Sequence, residues 1–165
     1  MGGGAEVKLT KTIGFTGLAG SGKTYAATWF RFRTGKGSVW SFAAEIKAIA
    51  KSMGWDGVKD DRGRKLLQDI GSAGRAYDQW TWVSKMPTDQ PIIIDDVRFI
   101  NEAEAIRAAG GIVVRIIRPG LTPMEHESET EQKYIIADYT LINDEELEEE
   151  LEALYEREIG SAYAK

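Results

Sequence analysis

A three-layer α/β domain, with a mostly parallel sheet flanked by helices, is the fold that this 165-residue sequence predicts. Three observations lead there. The apolar runs "IGFT", "PIIID" and "IVVRII" show no polar alternation, so both of their faces need cover, which helices on either side of a parallel sheet supply. Stretches of helical periodicity separate those runs. A glycine-rich turn joins the first run directly to the first helical stretch.

The elements follow in order. Val7–Thr16 ends in "IGFT" and predicts the first strand. Lys23–Arg33 predicts a helix closed by "TGKG", and "SVWSF" a short second strand. Ala44–Met53 places Ile46, Ile49, Ala50 and Met53 on one helical face, with Gly54 as the stop. Arg64–Tyr77 predicts a helix that Gly71 and Gly74 weaken, and Gln79–Lys85 a further short one. "PIIID" is a buried strand that opens on proline and runs into two acids. Asn101 and Glu104 then predict an N-cap and capping-box partner for a helix through Ala109, ended by Gly110 and Gly111. "IVVRII" predicts another buried strand. "RPGLTPMEHESETEQ", polar and proline-containing, predicts a loop or flap over about 119–132. "YTLI" is the last strand. Asn143 and Glu146 are expected to cap a final helix with Leu147, Leu151, Leu154, Tyr155 and Ile159 on one side and the acids of "DEELEEELE" on a wet face. In such a sheet ligands collect at the carboxyl ends of the strands, so the glycine loop, Asp95/Asp96 and the loop at Arg118 are expected on one rim.

Length predicts a single domain over residues 1–165. Without cysteine there is neither a disulfide framework nor a thiolate metal site, which fits a reducing cytoplasm, that of the host if the chain is viral. No apolar run nears the roughly 20 residues that cross a bilayer, and the N-terminus has no apolar core of a secretory signal, so no membrane partner is expected. The net charge of −5 hides a basic first half and an acidic second half. The basic residues are spread out with no dense run, which favours a small anionic ligand over a nucleic acid.

Gly17-Leu18-Ala19-Gly20-Ser21-Gly22-Lys23-Thr24 fits G-x-x-x-x-G-K-[ST] at every fixed position, between an apolar strand and a helix. Glycines let successive backbone N–H groups turn in on phosphate oxygens, and the following helix adds its positive end. Lys23 can reach the β- and γ-phosphates, and the Thr24 hydroxyl can ligate Mg²⁺. These residues predict a P-loop that binds ATP through Gly17, Ala19, Gly20, Ser21, Gly22, Lys23 and Thr24. Asp95 or Asp96 supplies the acid on a neighbouring strand for Mg²⁺. The residue beside that aspartate is a second aspartate, not the glutamate that a hydrolytic motor uses to activate water.

Four stretches together resemble the deoxynucleoside monophosphate kinases of bacteriophages, a branch of the P-loop nucleoside monophosphate kinases. They are "GFTGLAGSGKTYAA", "FAAEIKAIA", "KDDRGRKLLQDIGSAGR" and "DDVRFINEAEAIRAAGGIVVRIIRPG", with "HESET" and "DYTLINDEELEEEL" in the tail. The segment around Asp96-Val97-Arg98-Phe99 and Asn101–Arg107 is the most specific. The chain departs from that pattern at Ala44-Glu45, where the family often has Asp-Pro, and at Ile100, where it often has proline.

The resemblance implies transfer of the γ-phosphoryl group of ATP to a deoxynucleoside 5′-monophosphate, giving the diphosphate and ADP, with Mg²⁺. Two anions must be brought together, so cations are needed around the transfer. Lys47, Arg64, Gln68, Arg75 and Arg98 are expected to contact the acceptor, with the helices of about 43–86 forming its site. Lys23, Asp96 and Arg118 are the expected catalytic residues, Arg118 because it ends a strand where the flap begins. His126, the single histidine, is given no chemical role. Two alternatives stand beside this reading: another small-molecule P-loop kinase such as a dephospho-coenzyme A kinase, and a P-loop ATPase or switch in a DNA or protein machine. Oligomeric state is open, a homodimer included.

Overall fold

The computed structural model describes residues 9–123 and 130–160. In chain order the elements are β1 (Ile13–Thr16), α1 (Lys23–Thr34), α2 (Ala44–Ser52), α3 (Asp61–Tyr77), a 3₁₀ turn (Val83–Lys85), β2 (Ile93–Val97), α4 (Ile100–Ala108), β3 (Ile112–Ile117), a second 3₁₀ turn (Gln132–Tyr134), β4 (Tyr139–Ile142) and α5 (Leu147–Glu158). They divide between two compact units, one running to Trp40 and resuming at Thr88, the other Ser41–Pro87.

The first unit holds a four-stranded sheet in the order β2-β1-β3-β4, parallel throughout. Ile13 pairs with Ile93 on one side and Ile112 on the other. This is the parallel α/β sheet that the unalternating strands predict. One face of the sheet buries Ile13, Phe15, Ile93, Val114, Ile116 and Leu141 against Ala26, Ala27 and Phe30 of α1 and Leu147, Leu151, Leu154 and Tyr155 of α5. The predicted apolar stripe of the last helix is therefore buried in full, Ile159 included. On the opposite face α4 lies close: a Cβ on Gly14 would stand 2.5 Å from Ile106 Cδ1.

Three local expectations are corrected here. "SVWSF" forms no strand. Trp40 alone bridges to Ile94, donating its N–H to the Ile93 carbonyl at 2.7 Å. Pairing stops because Ser41 starts a turn, its Oγ accepting the Ala43 N–H at 3.2 Å. Helix α4 starts earlier than the Asn101–Glu104 box implies: Phe99 is the N-cap, and Glu102 reaches back to the Phe99 N–H at 2.9 Å. At α5 the Asn143 side chain leaves the helix end, and Asp144 Oδ1 accepts the Glu146 N–H at 2.8 Å instead.

The second unit packs α2 against α3. Helix α3 begins three residues before its predicted start because Asp60 caps it, Oδ1 accepting the Gly63 N–H at 2.8 Å. Both suspect glycines have packing reasons. A Cβ on Gly74 would clash with Cζ2 of the Trp82 ring, and Trp82 Nε1 donates to the Gly71 carbonyl at 2.9 Å. The expected apolar face of α2 is narrower than its periodicity suggests, since only Ala50 is fully buried and Met53 is 62 % exposed. Of Gln79–Lys85, only the final 3₁₀ turn is helical.

Candidate active site

β1 delivers the chain to the glycine loop, and α1 leaves it at Lys23. Gly20 and Gly22 have φ of +81° and +109°, a region that side chains with a Cβ avoid. Space is also limited. A Cβ on Gly22 would stand 2.5 Å from Asn143 Nδ2, the amide that donates to the Ser21 carbonyl at 2.8 Å. The tip of β4 thus holds the loop from behind. Lys23 is buried, with Nζ donating to the Gly17 carbonyl at 2.7 Å and the Leu18 carbonyl at 2.9 Å, so its ammonium lies inside the curve of the loop. Ala19 and Gly20 are exposed at the mouth.

The two acids of β2 take different positions. Asp95 is half-buried and accepts from the Thr24 hydroxyl at 3.5 Å, so a hydroxyl and a carboxylate meet beside the phosphate loop. That pair fits a hard cation that takes oxygen ligands and shares them with phosphate oxygens and water. Asp96 is buried, on the side of Glu102. Glu102 is buried too, and its Oε1 accepts the Arg98 N–H at 2.8 Å as well as that of Phe99. Desolvation, with the charge of Asp96 second, pushes the Glu102 carboxyl up to about 8.

Arg98 follows β2 and is exposed. Arg118 follows β3, is exposed, and donates from Nη1 to the Gly20 carbonyl at 3.4 Å, which puts a cation at the loop mouth. Beside it a cleft of about 290 Å³ is lined by Gly17, Leu18, Ser21, Arg115, Arg118 and Gln132 among others. Arg115 braces its floor, donating to the carbonyls of Gln132 at 2.6 Å and Ile135 at 3.0 Å, and burial lowers its pKa below the usual arginine value. The glycine loop, Lys23, Thr24, Asp95 and Arg118 therefore share one rim of the sheet.

The other expected acceptor residues belong to the second unit. Arg64, Gln68 and Arg75 stand at i, i+4 and i+11 of α3, on one stripe with Gly71 between them. A Cβ on Gly71 would lie 3.2 Å from Arg75 Nη1, so the glycine leaves room for that guanidinium to lie back along the helix. Arg64 is exposed, while Gln68 and Arg75 are partly buried; Lys47 is partly buried on α2. Of the expected flap, 124–129 lies outside the described residues, and with it His126.

Over 175 aligned positions, the chain is 32 % identical to a protein of Acanthamoeba polyphaga mimivirus named "Putative deoxynucleotide monophosphate kinase", with 83 % of this chain and 90 % of that one covered. The chain belongs to the deoxynucleotide monophosphate kinase family. It is a nucleotide kinase, a phosphotransferase. A second relative of this kinase, "Uncharacterized protein ORF76" of Ictalurid herpesvirus 1 (strain Auburn), is 27 % identical; the alignment covers 70 % of this chain and 53 % of that one. No protein-family model matches the kinase. Two solved structures of the Mycobacterium tuberculosis APS kinase CysC, one in complex with AMPPNP and APS, cover 90 % of it at 15 % and 13 % identity, with TM-scores of 0.43 and 0.42.

Sequence reasoning on this kinase missed three residues. Asn143 braces the phosphate loop, Arg115 braces the cleft and Glu102 holds the turn at Arg98. For Glu102 there was a signal, an acid three residues after the true N-cap. Asn143 and Arg115 had none, because their partners lie 122 and 17 residues away.

Proposed function

We propose that this kinase transfers the γ-phosphoryl group of ATP to a deoxynucleoside 5′-monophosphate. The bond from the γ-phosphorus to the β–γ bridging oxygen breaks, and a new one forms to an oxygen of the acceptor phosphate. The supporting observation is the convergence of Lys23, the Thr24–Asp95 pair and Arg118 on one glycine loop. In this reading the loop N–H groups hold the triphosphate and Lys23 neutralises the β- and γ-phosphates. Arg118 offsets charge on the group in transfer. Thr24 and Asp95 would hold Mg²⁺, with Asp96 the inner acid of the pair, and the ion would supply neutralisation of the phosphate charge. Arg98, with Lys47, Arg64, Gln68 and Arg75 of the second unit, contacts the acceptor. Acid–base chemistry plays little part, because the acceptor phosphate is already ionised; positioning and charge neutralisation supply the rate.

The test is ADP formation from ATP and Mg²⁺ with each of dAMP, dCMP, dGMP and dTMP, with dephospho-coenzyme A as a further acceptor. At least one deoxynucleotide should accelerate turnover by orders of magnitude, and Lys23→Ala should abolish that gain. Turnover indifferent to every deoxynucleotide rejects the reading.

A further inference from the structure

We infer that Glu102 is a positioning residue for the acceptor, acting through Arg98; this rests on the proposed acceptor role of Arg98. Three observations carry it. Oε1 of Glu102 accepts two consecutive backbone N–H groups, those of Arg98 at 2.8 Å and Phe99 at 2.9 Å. Phe99 is the N-cap of α4, with extended backbone at φ −120° and ψ 150°, so the turn between β2 and α4 is set at these two residues. Glu102 itself is 5 % exposed and buried among elements of the sheet unit, whereas Arg98 is exposed. A buried carboxyl that binds the backbone of an exposed arginine does not touch substrate. It fixes the direction in which that arginine leaves the strand. A helix interior supplies no such acceptor, because the first N–H groups of a helix have no partner within it. One side-chain oxygen serves the N-cap N–H of Phe99 and, beyond the helix, that of Arg98.

Glutamine keeps an acceptor oxygen at the same reach, and aspartate is one methylene short. The experiment has two readouts in the full-length protein at pH 7. The first is amide hydrogen exchange at Arg98 and Phe99. Both should exchange slowly in the wild type and Glu102→Gln, and at least tenfold faster in Glu102→Asp. Equal protection in Glu102→Asp overturns the inference, whatever the enzyme's acceptor. The second is a kinetic cycle of Arg98→Ala, Glu102→Asp and the double variant, with the four deoxynucleoside monophosphates. Arg98→Ala should raise the acceptor KM about tenfold or more, Glu102→Asp by several-fold, and the double variant no more than Arg98→Ala alone, while the KM for ATP stays within twofold. Effects that multiply in the double variant overturn the inference alone. An Arg98→Ala enzyme with unchanged acceptor KM removes Arg98 from the acceptor site, and the inference with it. Glu102→Gln should lie within twofold of wild type throughout; a loss as large as that of Glu102→Asp would show that the acceptor oxygen is not what matters.

Discussion

At the scale of single residues, burial decides what each acid can do. Asp95 stands with a hydroxyl at the loop, whereas Glu102 is enclosed. The Glu102 carboxyl is shifted up from an ordinary 4.5 to about 8. Its contribution to stability is therefore fully present below about pH 4.5 and is lost as pH rises through about 8. In that window unfolding releases its proton, so higher pH favours the unfolded chain, by at most about 1.4 kcal/mol per pH unit. Above the window both states are ionised and the loss stops. Glu102→Gln carries no such proton. Its stability relative to wild type, from urea unfolding at pH 5 to 9, should rise across the window and then level. A difference independent of pH would show that the buried carboxyl is not shifted.

Among the elements, α3 shows how packing reverses a propensity. In an exposed helix, replacing glycine by alanine gains up to about 1 kcal/mol. At Gly74 the new methyl would meet the Trp82 ring, whose Nε1 is tied to the Gly71 carbonyl. Crowding a packed ring costs about 1–3 kcal/mol. The second effect wins, so Gly74→Ala should lower stability, measured by thermal or urea unfolding; a stabilised variant would contradict the ring's position. The same logic covers the elements that were readable in the chain. "IVVRII" and "YTLI" matched as short apolar runs bounded by turn signals, and the α5 stripe because its spacing reports one buried helical face. "SVWSF" reads equally well as a strand, but a strand needs a partner along its length, and only Trp40 has one.

At the scale of the whole sheet unit, basic residues from before Trp40 meet the acids of α5. The acids of α5 lie on the expected solvated face, with Glu148, Glu149 and Glu156 exposed, and some find partners there: Arg33 donates from Nε and Nη2 to Glu152 at 3.1 and 2.9 Å, Lys11 pairs with Glu158 at 2.8 Å, and Tyr25 donates to Glu148. Arg33 also lies 3.9 Å above the Tyr155 ring. The exposed ion pair contributes under about 1 kcal/mol, and the ring contact adds a similar amount. Arg33→Ala should therefore destabilise by about 1–2 kcal/mol and Glu152→Ala by less, with the Glu152→Ala loss shrinking in molar salt. Equal losses that ignore salt would mean that neither contact operates. No helix among the described residues is long and apolar enough to cross a membrane.

What the sequence determined by itself was local. Glycines at Gly20 and Gly22, a lysine and a threonine at fixed spacing specify a loop that curls on phosphate, and unalternating apolar runs specify strands covered on both sides. Tertiary structure alone decided which of two adjacent aspartates meets Thr24, that Asn143 braces the loop, and that Glu102 rather than Glu104 caps α4. Neighbours in a strand point to opposite faces, and which face holds the site depends on partners far along the chain. Spacing encodes the turn of a backbone, but only the folded chain encloses a side chain and gives it a partner.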